Sequence, residues 1–168
     1  MKILDIEIPD NIEKLNVYSE AFKDGEKIPK KYTCDGENLS YSIKIENLNE
    51  NVKSILIIVE DPDAPMGIFR HWIAYINGPI NYIPEGIKKE RIVKIGNLDM
   101  IQGINDFGRL GYDGPCPPRG HKVHRYYTIV LALNKKLNII GSTFKDFMNS
   151  FKKEDVIQYG YFVGLYQR

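Results

Sequence analysis

Apolar residues in this chain recur mostly with a period of two and in short runs. Residues 2–8 (Lys-Ile-Leu-Asp-Ile-Glu-Ile) largely alternate apolar and charged side chains, as a half-buried strand does. Residues 41–45 alternate over a shorter span. Residues 53–60 (Lys-Ser-Ile-Leu-Ile-Ile-Val-Glu) form a dense aliphatic run rich in β-branched side chains, which predicts a strand buried on both faces. Phe69–Ile76 is a second such run, stopped by Asn77-Gly78-Pro79. His124–Leu133 and residues 159–167 predict two further strands. The intervening residues 81–120 are glycine-rich with little periodicity and predict long loops, which inside a compact domain are usually functional. One segment changes period. Phe144, Phe147, Met148 and Phe151 fall at i, i+3, i+4 and i+7, the stripe of an amphipathic helix, and Thr143 with Asp146 predicts a capping box. Many strands with one late helix predict a mainly β fold, a β-sandwich of antiparallel sheets with one or two short helices.

Length and charge narrow the classes. A chain of 168 residues with no repeat, linker or low-complexity segment is expected to form a single domain over residues 1–168. A domain near that size buries roughly 70% of its unfolded surface, so neither metal nor disulfide is needed to hold it together. The net charge of +1 argues against a nucleic-acid partner, which calls for a basic surplus on one face. No apolar run approaches the roughly 18–20 residues of a membrane span, so no transmembrane segment is expected. Residues 1–7 lack the apolar core of a secretory signal, which makes the cytoplasm the expected location. Cys34 and Cys116 are the only cysteines. Thiols there are normally reduced, with a Cys34–Cys116 bridge left open by sequence, and no paired cysteines suggest zinc.

The histidines carry the chemistry. All three, His71, His121 and His124, lie in two segments, and five of the nine prolines lie with them. One segment runs from Asp61-Pro62-Asp63-Ala64-Pro65 to His71-Trp72. The other runs from Gly111 through Pro115-Cys116-Pro117-Pro118-Arg119-Gly120-His121 to His124-Arg125-Tyr126. Proline fixes φ, so these are rigid loops at strand ends, suited to holding polar groups in place. Asp61 follows directly on the buried strand 53–60. His124, Tyr126 and Thr128 share one face of their strand, and His71 shares a face with Ile73 and Tyr75. A carboxylate, two imidazoles and a phenol make a site for a small anion, because Asp61 beside an imidazole favours imidazolium. Asp63 suits an Asx-turn as well as a ligand. His121 reads as a surface-loop residue that faces away from His124 on extended backbone, which weighs against a metal-dependent hydrolase. No Gly-x-Ser-x-Gly elbow is present, and Cys116 reads as packing rather than an activated thiol, so no catalytic residue, metal or cofactor is expected and the chain is read as not an enzyme.

The same residues resemble the phosphatidylethanolamine-binding protein family, also called the Raf kinase inhibitor protein family. The Asp61-Pro62-Asp63-Ala64-Pro65…His71-Trp72 and Gly114-Pro115-Cys116-Pro117-Pro118…His124-Arg125-Tyr126-Tyr127 segments look like its two signature regions. The likeness extends over most of the chain. It includes Phe22, Asp24-Gly25, Ile28-Pro29 and Tyr32-Thr33-Cys34-Asp35-Gly36-Glu37-Asn38, then Gly103, Asn105-Asp106, Gly108 and Gly111-Tyr112, then Gly164-Leu165-Tyr166. These details are nearer the bacterial and archaeal branch, without the extra C-terminal helix of the mammalian one. The resemblance implies a two-sheet sandwich with an anion pocket whose polar groups are Asp61, His71, His124 and Tyr126. Asp63, Cys116, Pro117 and Pro118 would form its rim, and Pro65 would be cis. It implies a phosphate- or carboxylate-bearing ligand or a phosphorylated group. It also implies a protein partner such as a kinase or serine protease, with residues 78–111 as an exposed inhibitory loop and a homodimer among the allowed assemblies. Where family members commonly carry Ser-Pro-Pro and then a tryptophan, this chain has Ser40-Tyr41-Ser42-Ile43-Lys44-Ile45, so that side of the rim departs from the pattern.

Overall fold

The computed structural model describes residues 1–168. In chain order the strands begin with β1 (Lys2–Ile3), β2 (Ile6–Glu7), β3 (Glu13–Lys14), β4 (Asn16–Tyr18), β5 (Ile43–Glu46) and β6 (Ser54–Asp61). They continue with β7 (Phe69–Ile76), β8 (Tyr82–Ile83), β9 (Ile92–Ile95), β10 (Leu98–Gln102), β11 (His124–Leu133) and, after helix α1 (Phe144–Met148), β12 (Val156–Tyr166). Seven strands make one sheet in the order β3-β12-β11-β6-β7-β10-β9, antiparallel except where β3 runs parallel to β12. Strands β4-β5-β8 make a smaller antiparallel sheet facing it.

The aliphatic runs become the middle of the large sheet because both of its faces are covered. All eight residues of β6 are buried. On one face Ile55, Ile57 and Val59 join Trp72, Ala74, Val130 and Ala132 in a core shared with Val17, Ile43 and Ile45 of the small sheet. On the other face Leu56, Ile58, Ile129 and Leu131 are covered by Ile3, Ile6 and Ile8 near the N-terminus and by Phe147 of α1. Each Val, Leu, Ile or Phe among them contributes about 1.5–3 kcal/mol when fully buried.

Three expectations change in detail. Residues 2–8 are a tight β1–β2 hairpin rather than one strand, since Leu4 takes φ 56° and reverses the chain. Residues 81–120 are not simply loops. They contain β8, β9 and β10, whose pattern is faint because β9 is an edge strand with alternating exposed and half-buried positions. The capping box forms as expected, Thr143 Oγ1 accepting from Asp146 N–H at 3.0 Å and Asp146 Oδ2 from Thr143 N–H at 3.0 Å. However, α1 ends at Met148, so Phe151 packs from beyond it. No helix is long and apolar enough to cross a membrane.

The cysteines also differ from expectation: Cys34 and Cys116 form a disulfide. The chain turns after the 3-10 helix Lys30–Tyr32, and Cys34 N–H donates to Pro115 O at 3.1 Å, which sets the two thiols face to face. A bridge across a separation of 82 residues removes much unfolded-chain freedom. The Cys34→Ser/Cys116→Ser double variant should lose roughly 2–4 kcal/mol in denaturant unfolding; an unchanged midpoint would show that the loops hold without it.

Glu60 conflicts with its surroundings. It is fully buried, and neither carboxylate oxygen has a hydrogen-bond partner. Arg70 Nε stands 3.6 Å away, while Arg70 Nη2 pairs with Asp5 at 2.8 Å. Burial pushes the Glu60 pKa up to about 8; the Asp5 charge adds to that and Arg70 opposes it. Folded chains then keep a proton that unfolded ones release near 4.5, so stability falls as pH rises through that window and levels off above about 8. Glu60→Gln should be more stable than the parent by about 1–3 kcal/mol near pH 8 and nearly equal to it near pH 4.5. Urea titrations at both pH values check this, and an equal difference at the two would contradict the buried-acid account.

Candidate functional site

Three neighbouring strands in the middle of the large sheet, β7, β6 and β11, have their termini at one end of it. Asp61 is the last residue of β6, His124 is the first of β11, and Asp61 pairs in register with Phe69 at the start of β7. Alternation alone would turn His71 toward Ile73 and Tyr75, which lie in the core on the far face. A β-bulge prevents this. Val59 pairs with Trp72 but Glu60 pairs with Arg70, so His71 is the extra residue. A bulge re-aims the residue it inserts, and His71 accordingly lines a cavity together with Asp61, His124 and Tyr126.

The cavity is about 150 Å³. An engineered apolar cavity of roughly that size holds benzene, so the space fits a phosphate- or carboxylate-sized group. Ala64, Pro65, Phe69 and Phe107 form one wall, and Cys116, Pro117 and Pro118 another. Asp61 Oδ2 accepts from His124 Nδ1 at 2.7 Å, and its Oδ1 accepts from the Asp63 backbone N–H at 2.7 Å. Since a carboxylate only accepts, the proton sits on His124 Nδ1, and Nε2 faces His121 Nδ1 at 2.5 Å. His71 Nδ1 donates to the Asp113 carbonyl at 2.7 Å, which leaves Nε2 as the nitrogen available to a guest. The Tyr126 ring stacks on His124 at 6.3 Å and meets His71 edge-on at 5.3 Å.

Asp113 holds the loop that orients His71. Its carboxylate accepts from Asn38 at 2.8 Å, Asn105 at 2.7 Å and Arg109 at 3.0 Å, with Lys89 at 3.3 Å. Burial raises its pKa, but the Arg109, Asn105, Lys89 and Asn38 contacts outweigh that and leave it below the usual carboxylate range. Burial lowers the pKa of His71, and the Asp113 carbonyl and the Asp61 charge only partly oppose it, so the ring is neutral at neutral pH. Burial, with the Asp61 charge next, raises Tyr126, which keeps its proton. No Lys or Arg lines the cavity.

Several sequence expectations need correction. Asp63 is turned away from the cavity, and its carboxylate chelates Arg125 through Nε at 2.9 Å and Nη2 at 3.0 Å. The Arg125 hydrogen bond holds Asp63 below the usual carboxylate range. Its role is to brace the first loop against β11. His121 does not face away from His124: the turn at Pro118–His121, closed by His121 N–H to Pro118 O at 3.1 Å with Gly120 at φ 79°, folds its ring back onto it. Pro65 follows a trans peptide, as no cis bond occurs in the chain. Tyr41, in the departing stretch, is a core residue whose hydroxyl meets Thr128 Oγ1 at 2.6 Å, and Phe69 and Phe107 line the cavity instead. Phe69 could have been found by extending the β6–β7 pairing one residue beyond Glu60. Phe107 carries no sequence signal, because the loop that places it is set by the Asn105 and Asp113 contacts.

Comparison with known proteins agrees with this architecture. The family model for phosphatidylethanolamine-binding protein matches residues 18–167. A UPF0098 protein of Pyrococcus horikoshii is 51% identical over 150 residues, covering 89% of this chain and 75% of the relative. The crystal structure of a Chlamydia trachomatis homologue superimposes with a TM-score of 0.79 at 32% identity, covering 93% of this chain and 99% of the other. Escherichia coli YbcL, described as a new member of the mammalian family, superimposes with a TM-score of 0.80 at 28% identity over 92% of this chain and 99% of its own. The family model over most of the chain, the relative at 51% identity and the superimposable two-sheet fold agree, and the chain belongs to the phosphatidylethanolamine-binding protein family.

Proposed function

We propose that this chain is a non-catalytic binding module whose cavity takes a phosphate- or carboxylate-bearing group together with a proton. One observation carries the reading: Asp61, His71, His124 and Tyr126, drawn from three strands, line one small cavity walled by prolines. The absence of a free hydroxyl, thiol or amine nucleophile beside a base in that lining supports binding over catalysis. No Ser, Thr or Lys is present, Cys116 is bridged, and Tyr126 holds its proton. Modulation of a kinase or protease extends the same reading to the family level. An inhibitory loop over residues 78–111 gains no support, because β8, β9 and β10 divide that stretch into shorter connections.

The proton follows from the hydrogen-bond inventory. With Nδ1 donating to Asp113, a neutral His71 offers only a lone pair at Nε2, and Asp61 adds negative charge. An oxyanion meets repulsion there unless a proton sits between them. Once bound, the anion favours the charged imidazole, so binding takes up a proton and affinity falls as pH rises. Sulfate isolates the protein's share, since it does not titrate in this range. In calorimetry, sulfate and phosphate should both bind at least about tenfold more weakly near pH 8.5 than near pH 5.5, with a heat that depends on the buffer's ionisation. Equal sulfate affinity at the two values would defeat the proposal. Tyr126→Phe, which removes only a hydroxyl, should weaken phosphate by roughly 1 kcal/mol, or about fivefold, without unfolding the chain; unchanged affinity would exclude the phenol from the contact.

A further inference from the structure

His121 and His124 present ring nitrogens to each other and leave those nitrogens no other protein partner. We propose that they form a two-imidazole site for a divalent transition-metal ion of the zinc, copper or nickel class, open on its cavity side to water or to the oxygens of a small anion. The inference goes beyond the anion reading and does not depend on it.

The argument starts from His124. Its Nδ1–H is committed to buried Asp61, so the Nε2 lone pair is fixed in direction. A carboxylate on the far nitrogen is the arrangement that orients a metal-binding imidazole and raises its basicity. His121 supplies a second nitrogen at the same point, 2.5 Å away. A tetrahedral zinc ion with bonds of about 2.0–2.1 Å needs its two nitrogens roughly 3.3 Å apart, so the rings must part by about 0.8 Å. His121 can yield that distance. It is half-exposed, it follows the glycine turn, and only its backbone is tied elsewhere, its carbonyl accepting from Gln167 Nε2 at 2.9 Å.

Electrostatics permit a cation here. Asp61 is in direct contact with His124, and no Lys or Arg lines the cavity. The basic residues between and beside the two histidines are spent on Asp63, Arg125 at 2.9 Å and Lys122 at 4.0 Å. No three His, Cys, Asp or Glu side chains converge anywhere in the structure, so the protein supplies two ligands and the ion stays exchangeable. Imidazole pairs suit zinc, copper and nickel and give magnesium or calcium no advantage.

The chain makes a clean test, because it has only one other histidine and both cysteines are bridged. Metal-stripped protein is titrated with ZnCl₂, then NiCl₂ and MgCl₂, by calorimetry in a non-chelating buffer near pH 8. One equivalent of zinc should bind and magnesium should not. His121→Ala should weaken zinc at least tenfold while the metal-free melting temperature stays put, and Asp61→Asn should weaken it by about 10–100-fold. Absence of saturable binding at millimolar ZnCl₂, or affinity that His121→Ala leaves unchanged, would overturn the site and leave the pair as a shared N–H···N hydrogen bond.

Discussion

Everything at the cavity depends on β6 being held on both faces and both edges. Its eight residues are buried, with β7 on one side and β11 on the other. That strand cannot slide by one residue without exchanging Ile55, Ile57 and Val59 for Leu56, Ile58 and Glu60 between two different cores, so its register is fixed. Asp61 is therefore delivered to one point in space, and the neighbouring strands bring His71, His124 and Tyr126 to the same point. The loops contribute less to position than to closure. Prolines wall the cavity, the Cys34–Cys116 bridge ties one wall to the chain after the 3-10 helix, and the Asp63–Arg125 pair clamps the first loop to β11.

The same burial sets the chemistry. With His71 neutral, the interior is richer in acceptors than in donors, although the residues would look cationic if counted by type. Asp61 and the Asp113 carbonyl fix which nitrogen of each imidazole carries its proton, and so which lone pairs remain for a guest. In the proposed readings a guest oxyanion comes with a proton, and a guest metal ion takes the place of the proton shared by His121 and His124. Both proposals rest on one feature, imidazoles oriented by buried acceptors with no lysine or arginine lining the cavity.

Membership of the phosphatidylethanolamine-binding protein family fits these observations but does not by itself give the ligand. The relative in Pyrococcus horikoshii shares half of the aligned residues, and its UPF0098 designation states no activity. The structural relatives in Chlamydia trachomatis and Escherichia coli share the two-sheet frame over nearly all of this chain. The ligand has to be argued from the residues of this chain: a disulfide at the rim, Tyr41 in the core against Thr128, and a third histidine folded against the second.

The sequence alone determined the mainly β class, the buried central strands, the capping box at Thr143 and the two segments that hold the site. These follow from local periodicity and from proline and glycine, whose effects act within a few residues. Only the tertiary structure decided the rest. The face of His71 depended on a bulge created by pairing with β6, and the role of Asp63 depended on Arg125, 62 residues away. The state of the cysteines depended on two turns 82 residues apart in the chain. The contact of His121 with His124 depended on a glycine turn that extended-strand geometry would not foresee. Each is a relation between distant residues, set by strand register and packing, and no periodicity along the chain encodes it.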